Sequence, residues 1–188
     1  MAASKSITST ASSARTSKSP LNSEAEVDEI SGKTYLTKNY KKIIELPSGD
    51  YKYILTDEQK AVKNKESLKS TNREINPEWP VNYYNAIIKE SRNNKHDIIL
   101  IAPCMPFKEM RDYGIDFVLA YPDPICKEEY KTRARNRGAN EEFINRVENS
   151  IQTDFEDFLK QPNEKIILKP REYLEDALIR VGILKKKE

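Results

Sequence analysis

Three consecutive residues, Gly32, Lys33 and Thr34, have the types and the order needed to hold a phosphate chain. They match the end of the consensus G-x-x-x-x-G-K-[ST], in which backbone N–H groups cradle the phosphates, the lysine reaches the β and γ oxygens and the hydroxyl binds Mg²⁺. The motif therefore predicts all three as cofactor-binding residues, with Thr34 as a metal ligand. So short a motif also occurs by chance, and the other interpretation is an exposed turn.

The first half of this consensus is missing. Val27 stands where the first glycine belongs, and the preceding stretch, 22–31, should be a buried strand. That stretch contains four acids: Glu24, Glu26, Asp28 and Glu29. A central parallel strand does not tolerate such residues, and they would repel a polyphosphate. We therefore expect catalysis to be impaired.

Length and composition limit the classes of protein to consider. The chain has 188 residues, with 32 Lys and Arg against 30 Asp and Glu and a net charge of +2. This suits one domain with a tail, without a global field that favours nucleic acid. No apolar stretch approaches the roughly 20 residues of a membrane span, so we expect no membrane partner. The two cysteines, Cys104 and Cys126, and the single histidine, His96, suggest neither a zinc site nor a disulfide framework.

The N-terminal residues differ in composition from the rest. Ser, Thr, Ala and Lys dominate the first 23 residues, with no acid before Glu24 and no periodicity. We predict a disordered tail over 1–30 and an α/β domain over 31–188. The tail also has the composition of an organelle transit peptide, or of a segment that meets a protein partner.

Apolar patterns predict alternating strands and helices. Strands are predicted over 41–46, 97–102, 115–121 and 165–168, and the continuous apolar run 97–102 is taken as the centre of the sheet. Helices are predicted after Pro80 and over about 105–113, 125–137, 140–162 and 171–184. Asn140 is expected to cap the 140–162 helix. The last helix is expected to carry five residues inward: Tyr173, Leu174, Ala177, Leu178 and Val181. We expect the strands 97–102 and 115–121 to pair in parallel through a right-handed crossover.

Polar residues converge where these strands end. In open α/β sheets ligands bind beyond the carboxyl ends of the strands. Five residues are expected there: Glu45, Asp50, Asp123, Arg133 and Arg137. Phosphoryl transfer needs a phosphate cradle, a Mg²⁺ partner and cations against the developing charge, and all three kinds of group are present.

The basic residues have other interpretations. The arginines of the 125–137 helix can cover phosphates as a lid, or pair with glutamates on neighbouring turns: Glu128, Glu129, Glu141 and Glu142. Arg73, before the Pro80 helix, can contact an acceptor phosphate or form a surface ion pair.

Several segments in this order resemble a known family. They are Gly-Lys-Thr-Tyr-Leu at 32–36, Ile-Ile-Glu-Leu at 43–46, Asn-Arg-Glu-Ile-Asn-Pro at 72–77, Tyr-Pro-Asp at 121–123 and Arg-x-x-x-Arg-Gly at 133–138. Over about 31–184 the chain resembles phage-type P-loop proteins similar to nucleoside monophosphate kinases. The resemblance implies a three-layer α/β sandwich with a mainly parallel sheet that binds ATP with Mg²⁺ and phosphorylates a nucleotide.

The resemblance also assigns roles. It implies that Lys33 and Thr34 hold the triphosphate and Mg²⁺. Catalytic roles then fall to Lys33, Asp50, Arg133 and Arg137, and substrate binding falls to Glu45, Arg73 and Asp123. The expected location is the cytoplasm, which for a phage protein means the host cytoplasm or the virion.

Two other functions remain open. One is a non-catalytic, virion-associated or interaction protein on a degenerate kinase scaffold, which the acidic 24–29 segment favours. The other is a nucleic-acid-binding module, which rests only on the basic 127–137 helix and is disfavoured by the balanced charge.

Overall fold

A parallel sheet of five strands organises the molecule. The computed structural model describes residues 5–9, 32–57, 59, 73–101, 106–136 and 138–186. The sheet strands, in chain order, are β1 (Lys5–Ser9), β2 (Ile43–Leu46), β5 (Ile98–Ile101), β6 (Phe117–Pro122) and β7 (Lys165–Leu168). Their spatial order is β2-β5-β1-β6-β7, and every pairing is parallel. The chain is therefore of the mixed α/β class with a parallel sheet.

Two short strands form a separate antiparallel pair. They are β3 (Tyr53–Ile54) and β4 (Glu74–Ile75), with Tyr53 opposite Ile75. The helices are α1 (Lys33–Asn39), α2 (Gly49–Lys52), α3 (Val81–Ser91), α4 (Phe107–Asp112), α5 (Lys127–Asn136), α6 (Glu141–Lys160) and α7 (Leu174–Arg180). A 3₁₀ turn over Pro124–Cys126 leads into α5.

Helices cover both faces of the sheet because the strands β5 and β6 bury apolar side chains on both sides. Ile98 and Leu100 of β5 point towards α1 and α7, whereas Ile99 and Ile101 point towards α3, α4 and α6. The same alternation runs along β6, where Val118 shares the first cluster. A third cluster joins α5 to α6. A strand buried on both faces reads as a continuous apolar run, which is why these strands were predicted.

The centre of the sheet differs from the prediction. Ile98–Ile101 lies second in the strand order, and β1, Lys5–Ser9, lies between it and β6. The two strands predicted to pair with each other each pair with β1 instead. The prediction was wrong because Lys-Ser-Ile-Thr-Ser has one apolar residue and no periodicity, so its neighbours and not its composition decide its place.

The predicted tail needs the same correction. Residues 1–30 were expected to be disordered and outside the domain, but Lys5–Ser9 is a strand inside the sheet. One segment of the predicted tail is thus part of the sheet. The rest of that stretch, including the acidic 24–29 segment and Val27, lies outside the described residues, as does Cys104.

Helix ends follow local signals that the sequence carries. Asn140 begins α6, and its side chain accepts a hydrogen bond from the N–H of Phe143, as predicted. Pro80 immediately precedes α3, which begins at Val81. In the described part of the chain, no helix is long and apolar enough to cross a membrane.

Candidate functional site

Helix α1 presents the Gly-Lys-Thr motif at the carboxyl edge of the sheet. Lys33, its first residue, contacts Glu45 near the end of β2, while the N–H of Ile43, where β2 begins, bonds the carbonyl of Tyr40 just after the helix. The helix therefore runs antiparallel to β2. Gly32 precedes it with φ 90° and ψ 12°, a left-handed conformation that favours glycine.

Lys33 is a buried cation with an identified counter-ion. Its side chain is only 1% exposed, and Nζ lies 3.3 Å from Glu45 Oε1. Burying an ammonium group is costly unless it is paired, so Glu45 is what makes this position tolerable. The structure thus joins two predicted site residues, one from the motif and one from the carboxyl end of β2.

A cavity of about 530 Å³ lies between α1 and the start of α7. Its lining combines motif residues with aromatic and polar side chains: Gly32, Thr34, Tyr35, Lys38, Asn39, Tyr173 and Glu175. This volume falls in the range of small-molecule sites, which is roughly 300–1,000 Å³.

One wall of the cavity is fixed by a short hydrogen bond. The hydroxyl of Tyr40 donates to Glu175 Oε1 at 2.5 Å. This bond, with burial and the charge of Glu175, raises the pKa of Tyr40 to about 12. Because the bond engages one oxygen of Glu175, it restrains the carboxylate that lines the cavity.

The guanidinium of Arg133 is bound by other groups of the protein. Its guanidinium donates to Glu129 Oε1 at 2.5 Å and to the carbonyl of Glu172 at 3.1 Å. It also lies over the ring of Tyr173, with Cζ 3.9 Å from the centroid. Of the open interpretations, pairing with a glutamate on a neighbouring turn is the one observed. Its predicted companion, Arg137, lies outside the described residues.

The remaining predicted residues lie on other elements. Asp123 caps the 3₁₀ turn, where its Oδ1 accepts from the N–H of Ile125 at 2.9 Å. Asp50 lies exposed in α2. Burial is the main cause that raises the pKa of the neighbouring Tyr51, and the charges of Asp50 and Glu90 raise it further.

Arg73 lies beside the small β3–β4 pair. Its guanidinium covers the ring of Tyr53 at 3.8 Å, and Lys52 approaches both Tyr53 and Trp79. Asn82 of α3 donates to the carbonyl of Tyr51 at 2.8 Å, and this bond ties the region to the main domain. The result is a second cationic and aromatic cluster that follows β2.

Sequence reasoning missed most of the cavity lining. Tyr173 was expected to point inward with Leu174 and Val181, yet Tyr173 is 45% exposed and Val181 is 41% exposed. Helix α7 begins at Leu174, about three residues after the predicted start at 171, so Tyr173 precedes the helix and is not part of its apolar stripe. Position along α1 could have indicated Tyr35, Lys38 and Asn39, because they share a short helix with the motif.

Among the described side chains, no group of three or more His, Cys, Asp or Glu residues is arranged to hold a metal ion. No known protein-family profile matches the chain, and a search of curated proteins finds no significantly similar sequence.

Proposed function

We propose that this chain binds a nucleoside triphosphate, with the phosphates at Gly32, Lys33 and Thr34 and the base and ribose in the adjoining cavity. The observation that carries the proposal is that the cavity borders Gly32 and Thr34 and is otherwise lined by aromatic and polar side chains. A phosphate motif and a cavity of nucleotide size are thus found together.

The topology supports the same location. From β1 the chain first builds one side of the sheet, β2 and β5, and then the other side, β6 and β7. Such a reversal of strand order creates a crevice beyond the carboxyl ends of the strands, where ligands of open α/β sheets bind. As part of the proposal, the sheet and its two helical layers form a three-layer sandwich of the P-loop kinase type.

Mg²⁺ would enter with the nucleotide. The Thr34 hydroxyl and the Glu45 carboxylate are oxygen donors of the kind that Mg²⁺ prefers, and this ion is usually held by one or two such groups with phosphate and water. When bound, it would neutralise charge on the phosphates. Lys33 would then exchange part of its contact with Glu45 for the phosphate oxygens.

We propose that phosphoryl transfer is impaired. The cations assigned to the developing charge are shared with groups of the protein, Lys33 with Glu45 and Arg133 with Glu129 and the Glu172 carbonyl, and the phosphates must compete with these partners. Transfer requires positive groups aimed at the phosphates in the transition state. The acceptor nucleotide would lie at the Arg73 and Tyr53 cluster, with Asp50 and Asp123 nearer the edge of the sheet.

The decisive experiment is calorimetric titration of MgATP into the full chain. We expect micromolar binding, about −8 kcal/mol, and a loss of about tenfold or more in Lys33→Met, which keeps the aliphatic stem. Lys41→Met, at an exposed position before β2, is the matched control and should bind like the parent. Absence of heat at millimolar MgATP would refute the proposal.

A non-catalytic interaction protein is the second candidate. The Lys33–Glu45 pair favours it, since a lysine held by a carboxylate can be purely structural. If the chain is such a protein, titration with MgATP should give no heat, and Lys33→Met should change only the stability of the fold.

A further inference from the structure

Tyr173 stands between the motif and α5. A Cβ built on Gly32 would lie 3.4 Å from its Cδ1, and on another side the Arg133 guanidinium lies 3.9 Å from the ring centroid. The ring nevertheless stays 45% exposed and lines the cavity. Its position is therefore set by the protein, while part of its surface remains open to a ligand.

Arg133 is held so that it can support this ring. Its side chain is 11% exposed and is fixed by Glu129 Oε1 and by the carbonyl of Glu172, the residue before Tyr173. The other Glu129 oxygen accepts from the N–H of Arg171 at 2.8 Å, and Arg171 has a left-handed φ of 67°. Such a conformation is unfavourable for arginine, so these bonds are what keep the loop before α7 in place.

The backbone of Tyr173 is fixed as well. Its N–H donates to Asp176 Oδ2 at 2.8 Å at the start of α7. Glu172 is held in turn by Arg180, whose Nε donates to Oε1 at 2.7 Å. Hydrogen bonding from Arg180, more than its charge, holds the pKa of Glu172 below its usual range. Both sides of the loop are thus anchored, and the ring of Tyr173 is pre-positioned.

We infer that Tyr173 is the residue on which the nucleotide base stacks, and that Arg133 acts on the ligand through Tyr173 without contacting the phosphates. Arg133 is then a positioning residue, not the lid cation that the sequence predicted. Stacking on an aromatic ring is possible for every base, so the site distinguishes a nucleotide from a base-free polyphosphate. This inference rests on the proposed function.

The test compares two ligands, MgATP and magnesium tripolyphosphate, by calorimetry on the full chain. Tyr173→Ala and Arg133→Gln should each lower the affinity for MgATP by about tenfold, while the affinity for tripolyphosphate should change by less than about twofold. Tyr173→Phe, which keeps the ring, should bind MgATP like the parent. Arg135→Gln on the same helix, whose arginine pairs with Glu141 at the surface, is the matched control.

A double variant separates indirect from direct action. If Arg133 works through the ring, Arg133→Gln adds nothing to Tyr173→Ala, because the ring it supports is already gone. Arg133→Lys keeps the charge and loses the planar group, and it should weaken MgATP as Arg133→Gln does. Thermal melts followed by circular dichroism check that each variant is folded. If Arg133→Gln does not fold, Arg133→Lys takes its place in the comparison.

The outcomes that overturn the inference are distinct from failure of the proposed function. Equal weakening of both ligands by Arg133→Gln would mean direct phosphate contact, and unchanged MgATP affinity in Tyr173→Ala would remove the stacking role. Parent protein that binds neither ligand at millimolar concentration would overturn the proposed function, and the inference with it.

Discussion

One face of the sheet is packed against α3, α4 and α6 through large aromatic side chains, whereas the other is packed against α1 and α7 through aliphatic ones and carries the cavity. The first cluster includes Tyr83, Tyr84, Phe117, Tyr121 and Phe158, all 2% exposed or less. The second is built from Leu, Ile, Val and Ala. The large buried aromatic side chains are thus concentrated on one face of the sheet, and the cavity lies on the other.

The largest effect should come from the aromatic face. Phe117→Ala removes a ring that is 2% exposed and lies 6.0 Å from the ring of Phe107. We expect it to lower the free energy of unfolding by about 3–5 kcal/mol, since a buried aromatic leaves a cavity that the core cannot fill. Urea unfolding measures this. Leu159→Ala, at a position 48% exposed, should change it by less than about 0.5 kcal/mol.

The second-largest loss of stability is expected at the buried ion pair of Lys33 and Glu45, on the cavity face. Glu45→Gln removes the carboxylate that faces the buried Lys33 ammonium and should cost about 3 kcal/mol. The double variant Lys33→Met/Glu45→Gln should recover much of that loss, because the buried charge is gone. An equal or greater loss in the double variant would contradict this account.

An exposed pair gives the matched control. Lys42 and Asp97 also lie 3.3 Å apart, but their side chains are 66% and 62% exposed. Asp97→Asn should therefore change stability by less than about 0.5 kcal/mol. Similar losses at the two sites would show that burial is not what sets the energy.

Gly32 can be compared with Gly114, where an added Cβ would meet no other atom within 4 Å. Gly32→Ala and Gly114→Ala each place a Cβ in a left-handed backbone, with φ 90° and 75°, and each should cost about 1–2 kcal/mol. The Cβ at Gly32 also meets Tyr173, whereas that at Gly114 meets open space. Only Gly32→Ala should weaken MgATP in calorimetry.

The smallest expected effect is a gain in stability. Asp154 of α6 is 7% exposed, and its Oδ2 has no hydrogen-bond partner. Burial, more than the charge of Asp157, raises its pKa above 3.8, although hydrogen bonds from Thr153 and Ser150 act in the opposite direction. Asp154→Asn should stabilise the fold at neutral pH by about 1 kcal/mol, because the ionised form is poorly solvated there.

The pH dependence has a defined sign. The cost of Asp154 is fully present above its raised native pKa and is lost below the unfolded value near 3.8, where both states bind the proton. The gain from Asp154→Asn should therefore shrink between about pH 7 and about pH 4 in urea unfolding. Glu156→Gln, at an exposed position of the same helix, should show no such trend.

Much of the fold could be predicted because apolar runs and helix caps are local signals. The apolar pattern predicted β5, β6 and β7, and Asn140 predicted the start of α6. The cavity was harder to predict, because it joins residues of α1 to residues around the start of α7. Tyr173 was placed in the core, since a residue just before a helix continues its apolar stripe in sequence.

The sequence by itself determined the elements buried on both faces and the Gly-Lys-Thr motif, because hydrophobic periodicity and backbone preference act over a few residues. Only the tertiary structure decided that Lys5–Ser9 is the central strand, that Glu45 is the counter-ion of Lys33, and that Arg133 lies over the ring of Tyr173. These arrangements depend on contacts between residues far apart in the chain. Their free energy comes from pairing, charge and stacking with a partner that no local pattern identifies.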